Sequence, residues 1–322
     1  MNWLKYAAKT LVHGGLNLSG MPRRKRQALR GHLIILTYHS FSTKWPCGLF
    51  NPLQANQFEQ QLRFLSANFD VVSLRDGINY VHTGRIAPNP YLALTIDDGF
   101  LDNYTIAWPI LKRYDLPATI FLATDFLDSG RKPWPTELVD ILERTRRQHM
   151  SFPIAARIVT NAEKSTAVRA IMNLWCGLEP AERFARLKEL RSHLAVGHAM
   201  KYEALQWNQV REMSQHGIDF GSHTAYHSLL PSVSTKVLEE ELRQSKRRIA
   251  AELGSSCDFF AYPDGKHDER TRQAVEAAGY TAGVTQDRGS NTSATRLSCL
   301  RRIEVPSHDP LSTIQGRVSL CW

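Results

Sequence analysis

Short apolar runs alternate with amphipathic stretches along most of the chain. The apolar runs HLIILTYHSF (32–41), YLALTI (91–96) and PATIFLA (117–123) have the length and composition of buried strands. Between the first two, FEQQLRFLSANF (58–69) repeats its apolar residues at helical spacing. Strands that alternate with helices in this way predict a parallel α/β sheet or barrel, in which the polar residues that follow the strands gather at one edge.

The middle of the chain, from about residue 128 to 205, has a different pattern. Strand-like runs fade there, and charged helical stretches such as ELVDILERTRRQ and ERFARLKELRSHL take their place. The alternation resumes afterwards and ends with LRRIEVP. We therefore expect an α/β domain over 31–322 with a helical insertion at about 128–205, preceded by an N-terminal extension of residues 1–30.

The N-terminal extension is basic and amphipathic. It begins MNWLKYAAKTLVHGG, with apolar residues at helical spacing beside Lys5 and Lys9, and continues to RRKR at 23–26. The formal net charge of the chain is +9, and eight of these charges precede Glu59, the first acidic residue. This pattern favours a peripheral contact with an anionic membrane surface. A solvated tail, or a helix packed on the domain, are the alternatives.

The five cysteines and the start of the chain bear on where the protein works. The cysteines are scattered and include no CxxC pair, which indicates a reducing compartment. The start of the chain has no apolar stretch of export-signal quality and nothing near the ~20 residues of a membrane span. We expect a cytoplasmic protein, peripheral on the inner face of the membrane if the extension binds lipid. Nucleic acid is not an expected partner, because no basic and aromatic interleaving continues into the domain.

Two polar motifs follow predicted strands. Asp97 and Asp98 stand side by side after YLALTI, where their charges repel unless a cation or a shared proton accommodates them. His223 and His227 are four residues apart, so a helical turn would place both imidazoles on one face. Two histidines and one carboxylate can hold a catalytic divalent metal with open positions, which leaves Asp97 free as a base. Each motif alone also fits a capped turn or surface histidines.

Three motifs in order give the chain a resemblance to the polysaccharide deacetylases of carbohydrate esterase family 4, the NodB-homology domain. They are LTIDDGFLDNY (94–104), GSHTAYHS (221–228) and FAYPDG (260–265), and the resemblance runs from about Leu33 to Val305. It implies a distorted (β/α)7-type barrel, here with a helical insertion and the basic extension.

The resemblance also implies roles for individual residues. Asp98, His223 and His227 would bind a divalent metal, with zinc expected and cobalt or nickel as alternatives. Asp97 would be the general base, and the backbone N–H of Asp264 would stabilise the oxyanion. Tyr262 and Pro263 of the third motif would lie beside the substrate.

The sequence departs from the family pattern at three places. Ala261 stands where the third motif of the family has an arginine. Asp264 stands where the family has an aromatic residue after the proline. Arg301 or Arg302 is expected to supply the missing cation, the alternative being a surface pair at a strand end. The late Leu-x-His motif that supplies a general acid is not recognisable.

Two histidines outside the motifs are further candidates. His308 is the only late histidine and therefore a candidate acid, and if it is not the acid, a protonated Asp97 could return its proton to the leaving amine. His39, at the end of the first strand, is expected on the substrate side of the site or behind the metal ligands. A strand-end histidine with only structural contacts is the alternative.

We therefore expect a metal-dependent hydrolase that removes N-acetyl groups from a polysaccharide or a lipid-linked glycan. Two alternatives stay open. A carbohydrate-binding or scaffold barrel is favoured by Ala261 and by the missing acid motif. A deformylase or an O-acetyl esterase could use the same site, because activated water attacks all three carbonyls.

Overall fold

The computed structural model describes residues 27–44, 49, 51–197, 203–306 and 311–320. The strands are β1 Leu33–Tyr38, β2 Phe41–Ser42, β3 Leu53–Gln54, β4 Asp70–Val71, β5 Tyr91–Ile96, β6 Ala118–Leu122, β7 His149–Met150, β8 Ala156–Arg157, β9 Ile218–Ser222, β10 Phe259–Ala261, β11 Ala282–Val284 and β12 Ile303–Glu304. The α-helices are α1 Ala55–Asn68, α2 Leu74–His82, α3 Trp108–Arg113, α4 Thr124–Ser129, α5 Trp134–Arg144, α6 Asn161–Trp175, α7 Pro180–His193, α8 Trp207–Ser214, α9 Thr235–Leu253, α10 Glu269–Ala277 and α11 Leu311–Leu320. A π-helical turn, Asn103–Ala107, leads into α3.

A parallel sheet forms the centre of the fold, in the order β11-β10-β9-β6-β5-β1-β12. Strands β1 and β5 pair over their full length, from Leu33 with Tyr91 to Tyr38 with Ile96, so both end at the same level. Residues 300–304 close the sheet into a distorted barrel. The N–H of Leu300 donates to the carbonyl of Gly283 in β11, while β12 pairs with β1.

Alternate side chains of the central strands face two different apolar layers. In β1, Leu33 and Ile35 belong to an inner cluster with Phe121 of β6 and Phe259 of β10. Side chains of opposite parity in β1 and β5 pack with the surrounding helices, among them α1 and α9. Because side chains alternate along a strand, the inner face of β5 continues through Ala93 and Thr95 to Asp97. This alternation aims the first aspartate of the motif into the barrel.

Helices α5, α6 and α7 lie within the predicted insertion and pack around an apolar cluster of their own. Its buried members include Trp134, Leu138, Ile141, Ile171, Trp175, Leu187 and Leu190. The insertion also contains a short antiparallel hairpin, β7–β8, which the helical pattern did not predict. The domain boundaries stay a prediction. Residues 1–26 of the extension lie outside the described residues, and no described helix is long and apolar enough to cross a bilayer.

Candidate metal centre and active site

The turn after β5 brings two consecutive aspartates to one cavity. The N–H of Asp97 extends the sheet by donating to the carbonyl of Tyr38 at 2.9 Å. The chain then turns sharply, with φ of 80° at Asp98 and 84° at Gly99. A Cβ on Gly99 would lie 2.9 Å from Cδ2 of Leu122, so glycine fits both the conformation and the space. Because of this turn, both carboxylates line the same cavity.

The loop after β9 carries the two histidines. The N–H of His223 donates to the carbonyl of Leu122 at 2.9 Å, which fixes the start of the loop. The histidines do not meet through a helical turn, because residues 223–229 are not helical and both Thr224 and His227 have positive φ, 66° and 54°. These left-handed residues fold the loop back, and the two imidazole centroids lie 4.8 Å apart.

Asp98 and the two imidazoles converge as a set of three ligand atoms. Asp98 Oδ1 lies 3.3 Å from His227 Nε2 and 3.6 Å from His223 Nε2. Two ligands of a tetrahedral zinc ion, each ~2.0 Å from the metal, lie about 3.3 Å apart. Among the described residues, the buried Asp98 Oδ1 has no hydrogen-bond partner. The donor set, its spacing and this unpartnered oxygen fit a divalent metal.

The hydrogen bonds of His223 fix its tautomer. Its Nδ1 lies 2.8 Å from the carbonyl oxygen of Ala261, and because a carbonyl only accepts, Nδ1 carries the proton. Nε2 therefore turns its lone pair toward Asp98. Burial lowers the pKa of His223 to about 4, which keeps the ring neutral. A neutral imidazole held by a carbonyl is the usual form of a metal-binding histidine.

The charge of Asp97 is balanced by Arg302. The guanidinium is fully buried and donates two parallel hydrogen bonds of 2.8 Å to the two carboxylate oxygens. Its Nε donates to the carbonyl of Thr285 at 2.8 Å, which holds the group in place. Burial raises the pKa of Asp97, but the charge of Arg302 and its hydrogen bonds outweigh burial and hold that pKa below its usual value. Asp97 is therefore a deprotonated carboxylate beside the ligand set.

Of the two candidate arginines, only Arg302 reaches the cavity region. Leu300 belongs to the inner apolar cluster, and Arg302, two residues later, faces the same way. Arg301 is exposed, and its side chain lies against Gly289. The cation therefore comes from the closing segment of the barrel, whereas Ala261 on β10 contributes its carbonyl to His223.

The cavity has a volume of about 250 Å³. Its lining residues are His39, Asp97, Asp98, Pro135, Thr136, Met172, His223, His227, Leu229, Asp264, Gln286 and Glu304. The side-chain amide of Asn103 donates to the carbonyl of His39 at 2.9 Å and so fixes the loop after β1. Asp264 has a φ of 54° and is followed by Gly265, where a Cβ would lie 2.5 Å from the backbone nitrogen of Gln286.

Some predicted site residues lie elsewhere. Tyr262 is buried, and its hydroxyl donates to the carbonyl of Ser298 at 2.8 Å, so the ring serves the core. Pro263 is buried beside it and does not line the cavity. Arg301, as described, is on the surface. His308 lies outside the described residues.

Six residues of the cavity wall were missed by sequence reasoning. They are Pro135, Thr136, Met172, Leu229, Gln286 and Glu304. No motif contains them, and three come from the insertion, whose approach to the barrel cannot be read from local pattern. Only Met172 could have been suspected from the sequence. It is an apolar residue next to Ile171 on α6, but it is only partly buried and lies off the buried face that contains Val168 and Ile171.

Comparison with known proteins identifies the family. The polysaccharide deacetylase family model matches residues 84–283, which is more than half of the chain. The chain therefore belongs to the polysaccharide deacetylase family, whose members are hydrolases acting on the N-acetyl amide bonds of sugars. The resemblance drawn from the three motifs is confirmed.

One curated protein and two solved structures are similar to this chain over most of its length. YxkH of Bacillus subtilis, whose name places it among the polysaccharide deacetylases, is 23% identical over 274 residues, 85% of this chain and 71% of that protein. The solved structure of the Streptococcus pyogenes deacetylase PplD in complex with acetate has a TM-score of 0.61 and 21% identity, covering 88% of this chain and 97% of that one. A de-N-acetylase from Aggregatibacter actinomycetemcomitans has a TM-score of 0.56 and 17% identity, covering 88% and 99%. These two structures confirm the distorted (β/α) barrel.

Proposed function

We propose that this protein is a metal-dependent hydrolase that removes N-acetyl groups from the amino sugars of a glycan. The observation that carries the proposal is the convergence of Asp98, His223 and His227 on one buried point, next to a carboxylate held in its charged form. Zinc suits this set of two imidazoles and one carboxylate, and cobalt or nickel are the alternatives.

The residues divide the chemistry between them. When bound, a divalent metal acts as a Lewis acid toward the amide carbonyl and acidifies water. Asp97 takes a proton from the water that attacks the carbonyl carbon, and Arg302 keeps Asp97 deprotonated until then. The backbone N–H of Asp264 donates to the oxygen that becomes negative in the tetrahedral state. The roles of Asp97 and Asp264 are those that the family resemblance implies, and both residues line one cavity with the ligand set.

Breakdown of the tetrahedral state requires a proton on the leaving nitrogen. Asp97, protonated in the first step, returns that proton as the carbon–nitrogen bond breaks, and acetate and the free amine result. Among the described residues, His39 is the one imidazole in the cavity lining outside the ligand set, which suits a substrate hydroxyl or the leaving amine. The role of His308 stays a prediction.

The cavity walls suit an N-acetylated sugar. Pro135, Met172 and Leu229 offer apolar surface for a methyl group and a sugar face, while Gln286 and Glu304 offer polar groups for hydroxyls. The expected substrate is an acetylated polysaccharide or a lipid-linked saccharide. The de-N-acetylase among the structural relatives supports the amide over an O-acetyl ester or a formyl amide.

Acetate release tests this function. The purified protein is expected to release acetate from N-acetylchitooligosaccharides or from a lipid-linked glycan extract, to stop after dialysis against a chelator, and to resume with added zinc. Release of formate instead of acetate would favour the deformylase. Release of acetate from O-acetylated glycans only would favour the esterase. Glycan binding without hydrolysis by the zinc-loaded protein would favour the scaffold reading and overturn the proposal.

The basic extension is proposed to bring the enzyme to an anionic membrane at the cytoplasmic side. Residues 1–26 carry six lysines and arginines and no acidic residue, and each such cation near an anionic surface contributes about 1 kcal/mol. The full chain is expected to float with vesicles of phosphatidylglycerol, and a chain that starts at Gln27 is expected to stay behind. Neutral phosphatidylcholine vesicles and high salt are the controls. Equal flotation of both chains would contradict a role of the extension.

A further inference from the structure

The metal-binding loop rests on a buried carboxylate that no motif includes. Glu241 lies on α9 and is 2% exposed. Its Oε2 accepts hydrogen bonds from the backbone N–H of Ala225 at 2.7 Å and of Tyr226 at 2.9 Å. Its Oε1 accepts from the hydroxyl of Ser228. One carboxylate thus holds residues on both sides of His227.

The helical insertion holds the same loop from the other side. Trp134, at the start of α5, donates from its indole nitrogen to the carbonyl oxygen of His227 at 3.0 Å. The guanidinium of Arg183 on α7 is stacked 4.8 Å from the centre of the Trp134 ring and is 1% exposed. It donates to the carbonyl of Leu178 at 2.6 Å and to Ser228 Oγ at 3.4 Å. Ser228 is therefore shared by the barrel helix and the insertion.

This loop needs external support because its own backbone is strained. Thr224 and His227 both have left-handed φ, which costs roughly 1–2 kcal/mol per residue for side chains other than glycine. Such conformations persist only where surrounding contacts over-determine them. Backbone N–H groups of Thr124 and Asp125 hold the carbonyls of Thr224 and Ala225. Around His227 those contacts come from Glu241, Trp134 and, through Ser228, Arg183. Without them the loop would relax and carry the imidazole of His227 away from Asp98.

We propose that Glu241, with Trp134 and Arg183, is a positioning device for His227, and that the helical insertion is thereby a working part of the metal site. The proposal rests on the proposed function only in taking Asp98, His223 and His227 as the metal ligands. Outer contacts that orient ligands typically change metal affinity by about 10–100-fold when removed. Glu241 is not a catalytic residue, since it touches only the loop.

Metal affinity measures this positioning directly. Zinc binding by competition with a chromophoric chelator is expected to be about 10–100-fold weaker in Glu241→Ala than in the wild type. Glu241→Gln keeps the shape and one acceptor oxygen and is expected to recover most of the affinity. Glu239→Gln, on an exposed face of the same helix, removes the same charge and is expected to bind zinc as the wild type does.

A purely structural role would leave the ligand geometry intact, so the visible spectrum of the cobalt-loaded proteins is the second readout. At saturating cobalt, Glu241→Ala is expected to show altered band positions, and Glu239→Gln the wild-type spectrum. If Glu241→Ala does not fold, Ser228→Ala removes the shared hydroxyl alone and is expected to weaken zinc binding several-fold. Wild-type affinity and spectrum in folded Glu241→Ala or Ser228→Ala would overturn the positioning role. A wild-type protein that binds no metal would instead overturn the proposed function.

Discussion

Asp97→Asn is expected to lower kcat for acetate release by about 10²–10⁴-fold while leaving the zinc content unchanged. The amide has the shape of the carboxylate and can still accept one hydrogen bond from Arg302, but it cannot take a proton from the attacking water. Asp98 and the two imidazoles keep their positions. The measurement is single-substrate kinetics on zinc-loaded protein, with metal content determined on the same samples.

Asp98→Asn is the matched control for this variant. It changes the neighbouring residue by the same single atom, but it removes a proposed ligand, so loss of activity is expected together with loss of zinc. The two variants together distinguish the loss of a general base, which keeps zinc bound, from the loss of a metal ligand, which does not. Full activity in Asp97→Asn would exclude Asp97 as the base, and loss of zinc from that variant would assign it to the metal instead.

Arg302→Met is expected to lower the free energy of unfolding by about 3–5 kcal/mol at neutral pH. The variant leaves the carboxylate of Asp97 buried and charged without the guanidinium that now donates two hydrogen bonds to it. Deacetylation should fall as well, because Asp97 then takes up a proton more readily and is less available as the base. Urea unfolding in the presence of a metal chelator measures the free energy of unfolding without a contribution from metal binding.

The pH dependence of this loss has a definite sign. The pKa of Asp97 is lowered in the folded wild type, so the ion pair stabilises the protein above the unfolded pKa of about 3.9 and ceases to do so as the pH falls through the folded pKa. The gap between wild type and Arg302→Met should therefore narrow as the pH is lowered from neutral toward 4, where the variant's Asp97 is neutral. Arg301→Met, on the surface, should stay within about 0.5 kcal/mol of the wild type. A gap that does not change with pH would show that packing, not charge, causes the loss.

The sequence predicts the strands of this fold well because each central strand is a short apolar run. YLALTI is β5 in full, and HLIILTYHSF contains β1. The grouping of Asp98, His223 and His227 could also be predicted from the sequence, although the two histidines do not meet through a helical turn. Positive φ at Thr224 and His227 brings the imidazoles together. Threonine and histidine rarely adopt positive φ, so the sequence gives no reason to expect this conformation.

The motifs alone reduce the candidates for the cation beside Asp97 to two arginines but do not decide between them. Both Arg301 and Arg302 fit the missing cation, and strand alternation decides between them once Leu300 is known to face inward. The insertion's share of the cavity, such as Met172, could not be predicted at all. It depends on how the helices of the insertion pack against the barrel, and the local sequence pattern does not determine that packing.

The placement of Arg302 has a consequence for the order of events during synthesis. The residue lies 205 positions after Asp97, on the segment that closes the barrel. Because the chain is synthesised from its N-terminus, Asp97 and the proposed metal ligands all leave the ribosome before Arg302 does. The charge of Asp97 is balanced only after the segment that carries Arg302 has docked beside β1, so we expect hydrolysis to depend on closure of the barrel.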